Sequence, residues 1–205
     1  MPTIYHITHI ENLASIVAAG RIEATNVRKT GHFVNIANRD IQDRRAVRAV
    51  HVGPGGTLHD YVPFYFGPRS PMLYAIKTGF VPGYDGGQDD VIYLVSSTEA
   101  VVSAARPFVF TDGHAAMDYS EQFDDLGHLD KIDWPLMTST YWSATNDDPD
   151  RKTRRQAEFL VYRFLPCSAI ERIVSASHER VQQVRTILNG RLVHCAVEAK
   201  SGWYY

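Results

Sequence analysis

The sequence predicts an α+β fold, a mixed central sheet with flanking helices in one domain over residues 1–205. Strand-like and helix-like periods follow one another in an order that is neither a clean βαβ alternation nor all strand. A length of 205 residues suits one substantial core and is short for two ordinary domains. No repeat, low-complexity tract or break in composition marks a linker.

A strand is expected around Thr3 to Ile7, then a helix from about His9 to Ala19. Thr8 and Glu11 have the spacing of a capping box, Leu13 and Ile16 recur at helical spacing, and Gly20 supplies the stop. Residues 39–50, RDIQDRRAVRAV, read as a second helix with Ile41, Val47 and Val50 facing inward. The HVGPGG that follows lacks a Lys-Ser/Thr and is no P-loop. Tyr61 to Phe66 reads as an aromatic strand in which Pro63 points to an edge or a bulge. Ser70 as N-cap, Pro71 as first helical residue and Gly79 as stop define a short helix carrying Met72, Leu73 and Ile76.

VIYLVSS (Val91 to Ser97) reads as a buried strand, TEAVVSAA as a short helix, and PFVFTD as a strand ending before Gly113 and His114. A less regular segment runs from His114 to about Asp150. After it come a strand around Glu158, IERIVSA, a helix from about His178 to Leu188, the strand LVHCAVEA and the terminal WYY. In RRQAEFLVY the strand period sets Glu158 on one face with Leu160 and Tyr162. An acid there is either an exposed strand end or a working group.

Hydrophobic residues at 44% and charged residues at 21% place the chain among folded globular proteins and away from disorder. The N-terminus lacks a basic region followed by an apolar run, and no stretch has the apolar length of a membrane helix. Cys167 and Cys195 are too few for a disulfide framework, so a reducing cytoplasm is the expected location, with one bridge between them left open. A formal net charge of −2 argues against wholesale attraction to nucleic acid. Charge is nonetheless clustered: Arg39, Arg44, Arg45 and Arg48 lie within ten residues, and Arg151, Lys152, Arg154 and Arg155 make four cations in five. Such clusters are either solvated surface or a phosphate track. There is no G-x-G-x-x-G after a strand, no G-x-S-x-G and no H-E-x-x-H, and the spread of His6, His9, His51, His59 and His114 gives only a weak metal signal.

His6 at the end of the first strand, Tyr65-Phe66, Ser70 and Tyr74 on the following helix, and Glu158 opening a late strand are similar to the His, Tyr and Glu constellation of diphtheria-toxin and PARP-like ADP-ribosyltransferases. The strings IYHITHIENL, IQDRR, LHDYVPFYFGPRSPMLY, FVFTDGHA, DW, RRQAEFLVY and WYY resemble the DarT family of DNA ADP-ribosyltransferase toxins from the first strand to the last residue. Between about residues 81 and 90, and 115 and 153, little beyond Asp133-Trp134 carries the likeness.

The resemblance implies a metal-free ADP-ribosyltransferase domain that moves ADP-ribose from NAD+ to a thymine base within a short motif of single-stranded DNA. It also implies a DarG-type macrodomain antitoxin as partner. Cleaving the nicotinamide–ribose bond builds positive charge on the ribose, which asks for a fixed carboxylate. By resemblance Glu158 takes that role. His6 and Thr8 would hold NAD+ at the strand-to-helix turn, Tyr65 would stack on the nicotinamide, Tyr74 would wall that pocket, and Ser70 would cap the helix or touch the amide. Arg45 and His114 match positions that carry activity. A guanidinium is a poor base, so Arg45 reads first as electrostatic support. His114 is expected to contact DNA, the run Arg151, Lys152, Arg154 and Arg155 to guide the strand, and Trp142 to stack on a base. Other acceptors (guanine, tRNA or protein), an inactive DNA-binding module and a metal-dependent nuclease are the competing readings.

Overall fold

The computed structural model describes residues 1–29, 31 and 33–205. In chain order its first elements are β1 (Thr3–His9), α1 (Asn12–Ala19), β2 (Arg21–Glu23), α2 (Arg39–Val47), β3 (Tyr61–Tyr65) and α3 (Pro71–Lys77). Then come β4 (Val91–Ser97), α4 (Thr98–Ser103), β5 (Phe108–His114), β6 (Gln122–Phe123), α5 (Trp134–Thr138) and α6 (Arg151–Arg154). The chain finishes with β7 (Ala157–Tyr162), β8 (Phe164–Pro166), β9 (Arg172–Ser175), α7 (His178–Leu188) and β10 (Ala196–Ala199).

Eight strands form one sheet in the order β10-β9-β4-β1-β3-β7-β5-β6, while β2 and β8 pair separately. Among the described residues only β9 and β10 pair in parallel, so the sheet is mixed. Side-chain alternation splits the interior in two. Ile4, Phe64, Ile92, Leu94 and Phe159 pack with Leu13 of α1 and Val184 of α7. Tyr93, Val95 and Val174 pack with Leu73 and Ile76 of α3. Among the described residues no helix is long and apolar enough to cross a membrane, and both cysteines are free and buried.

Several local expectations change. The Thr8/Glu11 capping box does not form. Thr8 and His9 stay in β1, registered with Ile92 and Val91 of β4, and α1 starts at Asn12 after a Glu11 that makes no side-chain cap. Gly20 does end α1, with φ of 67° and its N–H on the carbonyls of Ile16 and Val17. In α2 the expected polarity is reversed: Ile41 and Val47 are exposed, while Arg45 is the helix's buried residue and Val50 is buried beyond its end. Pro63 is not on an edge strand, since β3 lies between β1 and β7. Its missing N–H costs little, because β1 and β3 share a single registered pair, Tyr5 with Tyr65. β5 runs on through Gly113 to His114, with an irregularity after Phe110. The final strand is shorter than LVHCAVEA. The basic run forms α6. Ser70, by contrast, caps α3 as expected, its Oγ accepting from Leu73 N at 3.2 Å.

Candidate active site

A cavity of about 680 Å³ opens where β1 and β3 part, a size that suits a cofactor-like ligand. Its walls draw on both packed layers, Ile16 and Ile22 from one and Ile36 and Val81 from the other. Glu158 is among its lining residues. β7 pairs with β3 so that Glu158 faces Tyr65 across the ladder, and the acid is 3% exposed. It is therefore no exposed strand end.

A carboxylate buried this far must be paired. Arg45 Nη1 donates to both of its oxygens, at 2.8 and 3.1 Å, and Ala115 N donates to Oε1 at 3.2 Å. α2 turns a cation inward for this purpose, which explains its inverted polarity. The second Arg45 amino group, Nη2, is buried without a protein partner.

His114 Nδ1 stands 3.8 Å from Glu158 Oε1 but accepts the Ala116 N–H at 3.1 Å. Burial lowers its pKa, against the opposing pull of Glu158. The ring is thus neutral, with its proton on Nε2. His6 is neutral for a similar reason: burial takes it down to about 4, although its Nδ1 donates to the Pro63 carbonyl at 2.8 Å. Its Nε2 remains as an acceptor on a cavity-lining side chain. The Tyr65 phenol stays protonated, raised first by burial and then by Glu158, and its hydroxyl lies 3.6 Å from Met72 Sδ.

Thr8 lines the cavity from within β1, not from a turn. Its Oγ1 accepts from Asn12 Nδ2 at 3.0 Å, and the same Asn12 amide clamps Val34 through both N–H and carbonyl, at 2.8 and 2.9 Å. Asn12 thereby fixes one side of the loop after β2 over the cavity. That loop adds Arg28, stacked 3.5 Å over Phe33, and Lys29. Sequence reading missed these three. A buried asparagine opening a helix and two adjacent cations in NVRKTGHF were the available signals, both weak without the fold.

Other expected residues lie elsewhere. Ser70 is buried as a cap and does not line the cavity. Tyr74 is also outside the lining, packing edge-on against Trp142 and Tyr205. Trp142 is buried and donates from Nε1 to Tyr205 Oη at 2.8 Å, so its faces are not open to a base. Exposed instead are the neighbouring Tyr141 and, beside α6, Tyr119, whose hydroxyl is 3.4 Å from Thr153 Oγ1.

The basic run divides as a helix must. Arg154 is held by Asp148 and Asp133, Arg151 by Tyr141 O and Ser139, and Arg155 is 2% exposed. Lys152 alone is both exposed and part of the cavity rim. His6 and His9 do not converge, His9 Nδ1 accepting from Glu11 N on the other side of β1. Among the described residues no three His, Cys, Asp or Glu side chains gather as metal ligands.

The family model for single-stranded-DNA thymidine ADP-ribosyltransferases, DarT, matches residues 5–205. The chain belongs to the DarT family. A DNA ADP-ribosyl transferase of Thermus sp. (strain 2.9) is 43% identical over 204 residues, covering 98% of this chain and 95% of the relative. The structure of Thermus sp. 2.9 DarT in complex with ADP-ribosylated ssDNA matches with a TM-score of 0.94 at 42% identity, covering 100% of this chain and 96% of that one. The NAD+ complex of the same DarT matches with a TM-score of 0.88 at 40% identity, over 100% and 98%. A more distant relative, a DNA ADP-ribosyl transferase–DNA ADP-ribosyl glycohydrolase fusion protein of Thermosipho africanus, is 24% identical over 92% of this chain and 46% of its own length. As a DarT chain, this protein is an NAD-dependent DNA ADP-ribosyltransferase.

Proposed function

We propose that the cavity holds NAD+ and that Glu158 supports transfer of its ADP-ribose to a thymine base of single-stranded DNA. The observation that carries this is the fixed carboxylate of Glu158, oriented by Arg45 in the wall of a cavity shared with His6 and Tyr65. The transfer breaks the nicotinamide–ribose bond, forms a bond from the ribose to a thymine ring nitrogen, and releases nicotinamide and one proton. Positive charge moves onto the ribose as the first bond lengthens, and a preoriented anion lowers that barrier without reorganising.

Within this reading His6 accepts a ribose hydroxyl through Nε2. Tyr65 and Met72 give the flat nicotinamide a flat, polarizable wall. Arg45 fixes the orientation of the Glu158 carboxylate and keeps Nη2 for an oxygen of the substrate; a guanidinium bound to a carboxylate is no base. The Nε2–H of His114 donates on the acceptor side. Lys152 attracts the backbone there, and Tyr141 and Tyr119 offer open ring faces for bases, the part first assigned to Trp142. The fusion relative supports an ADP-ribosyl glycohydrolase of the DarG macrodomain type as partner.

Mass spectrometry of mixed-sequence single-stranded DNA, after incubation with the protein and NAD+ with and without chelator, tests this. A chelator-resistant gain of one ADP-ribose mapping to thymine, and lost in Glu158→Gln, is the expected result. A gain on guanine, or NAD+ consumption with unmodified DNA, overturns the acceptor assignment.

A further inference from the structure

Arg155 is the largest fully buried side chain among the described residues, and no carboxylate among them pairs with it. Nη2 donates to the carbonyls of Pro68 and, at 3.5 Å, Arg69, while Nε and Nη1 have no partner. Burial depresses its pKa. A charge kept in such a place is costly, and a packed apolar side chain is often the more stable choice. Stability alone therefore does not account for an arginine here.

What Arg155 grips is the turn from Gly67 to Ser70, which has no regular ladder to hold it. Arg69 sits in the left-handed region at φ 57°. Its N–H donates to Tyr93 Oη at 3.2 Å, its carbonyl accepts from Tyr205 Oη at 2.6 Å, and its guanidinium lies 4.6 Å over the Tyr205 ring. A Cβ on Gly67 would meet the Met137 carbonyl and come within 3.0 Å of Arg155 Nη1, so the turn is closely packed from both sides. Tyr65 enters this turn and α3 leaves it. Both are cavity walls, through Tyr65, Met72 and Ala75.

We propose that Arg155 is a positioning residue that ties the Tyr65–Met72 wall to the strand carrying Glu158, fixing the reactive end of the co-substrate against the carboxylate. The inference rests on the function proposed above. A planar guanidinium can bind adjacent carbonyls at fixed angles, which an ammonium cannot. Displacing a wall by about 1 Å costs on the order of 10²-fold in rate. Cavity contacts on β1 and the loop after β2 do not pass through the turn. The loss therefore falls on kcat and spares KM for NAD+.

The test compares R155M, R155K and Y205F with the unaltered protein, measuring melting temperature, kcat and KM for NAD+ at saturating single-stranded DNA. R155M is expected to lose about 10²-fold in kcat with KM for NAD+ changed by less than about threefold. R155K recovers part of the loss. Y205F removes the hydroxyl that donates to the Arg69 carbonyl and accepts from Trp142 Nε1; the turn itself loses one ordinary hydrogen bond, and kcat falls by about fivefold. If R155M does not fold, Y205F decides. Unchanged kcat in Y205F overturns the proposal, as does an R155M loss that merely follows its folded fraction or appears only in KM. Failure of the unaltered protein to transfer at all refutes the reading of the site itself, a result distinct from equal kcat across active variants.

Discussion

Glu158→Gln tests two properties of one side chain. Glu158 accepts from Arg45 Nη1 twice and from Ala115 N once. Glutamine keeps one acceptor and turns an amino group toward a donor, either Arg45 or the Ala115 amide. Removing one partner of a buried ion pair costs about 3–5 kcal/mol, because the other charge stays behind. The retained amide oxygen places this substitution near about 3 kcal/mol. For a chain of this length that is a fall in Tm of about 6–12 °C. Transfer falls separately, by about 10²- to 10³-fold, with loss of the anion facing the ribose. The double variant R45M/E158Q separates these effects: removing both charges restores part of the stability while transfer stays at the level of E158Q or below. Circular-dichroism melting gives the first quantity. Formation of ADP-ribosyl DNA, measured at a temperature where every variant is folded, gives the second. Transfer by E158Q within about tenfold of the unaltered protein, or a double variant less stable than E158Q, would refute the reasoning.

His6, depressed to about 4, binds its proton less readily folded than unfolded. Its contribution to stability is whole above the unfolded value near 6.5 and is lost as pH falls through about 4, about 3 kcal/mol in total. Melting curves across that window should fall more steeply for the unaltered protein than for H6Q, and parallel curves would count against it. K152A should weaken single-stranded DNA binding and reduce the slope of log affinity against log salt by about 0.7, measured by fluorescence anisotropy. Y141A should cost about 1–3 kcal/mol of DNA affinity while W142F leaves affinity unchanged and lowers Tm; the reverse pattern would return the stacking role to Trp142.

The order of elements was legible because long apolar strands such as VIYLVSS and caps such as Ser70-Pro71 state their structure locally. α2 was not, because periodicity assumes that a helix buries its apolar face. Here it buries Arg45, and the reason lies 113 residues away at Glu158. The basic run failed for a related reason. Four adjacent cations read as one patch on paper, but a helical turn fans them apart, sending Arg154 to Asp148 and Asp133 and Arg155 into the interior. Trp142 was chosen by residue type. In an irregular segment nothing in the sequence tells which of Tyr141 and Trp142 points outward. Glu158 itself was readable as an acid on an apolar face, and the resemblance supplied the role proposed for it.

The single registered pair between β1 and β3 gives the sheet a seam. Four strands lie on each side, and the groups proposed to act on NAD+ are divided between them: His6 and Thr8 on β1, Tyr65 and Glu158 on β3 and β7. The His6–Pro63 bond spans the seam. A ligand held by both sides therefore acts as a rivet between two half-sheets, and its binding energy becomes cohesion of the fold, about 2.7 kcal/mol at a hundredfold excess over Kd. Amide exchange in β1 and β3 should slow when NAD+ binds, more than in the outer strands. On the proposed function, the seam sets His6 and Thr8 on one half-sheet and Tyr65 and Glu158 on the other, so the site is complete only where the two halves stay joined.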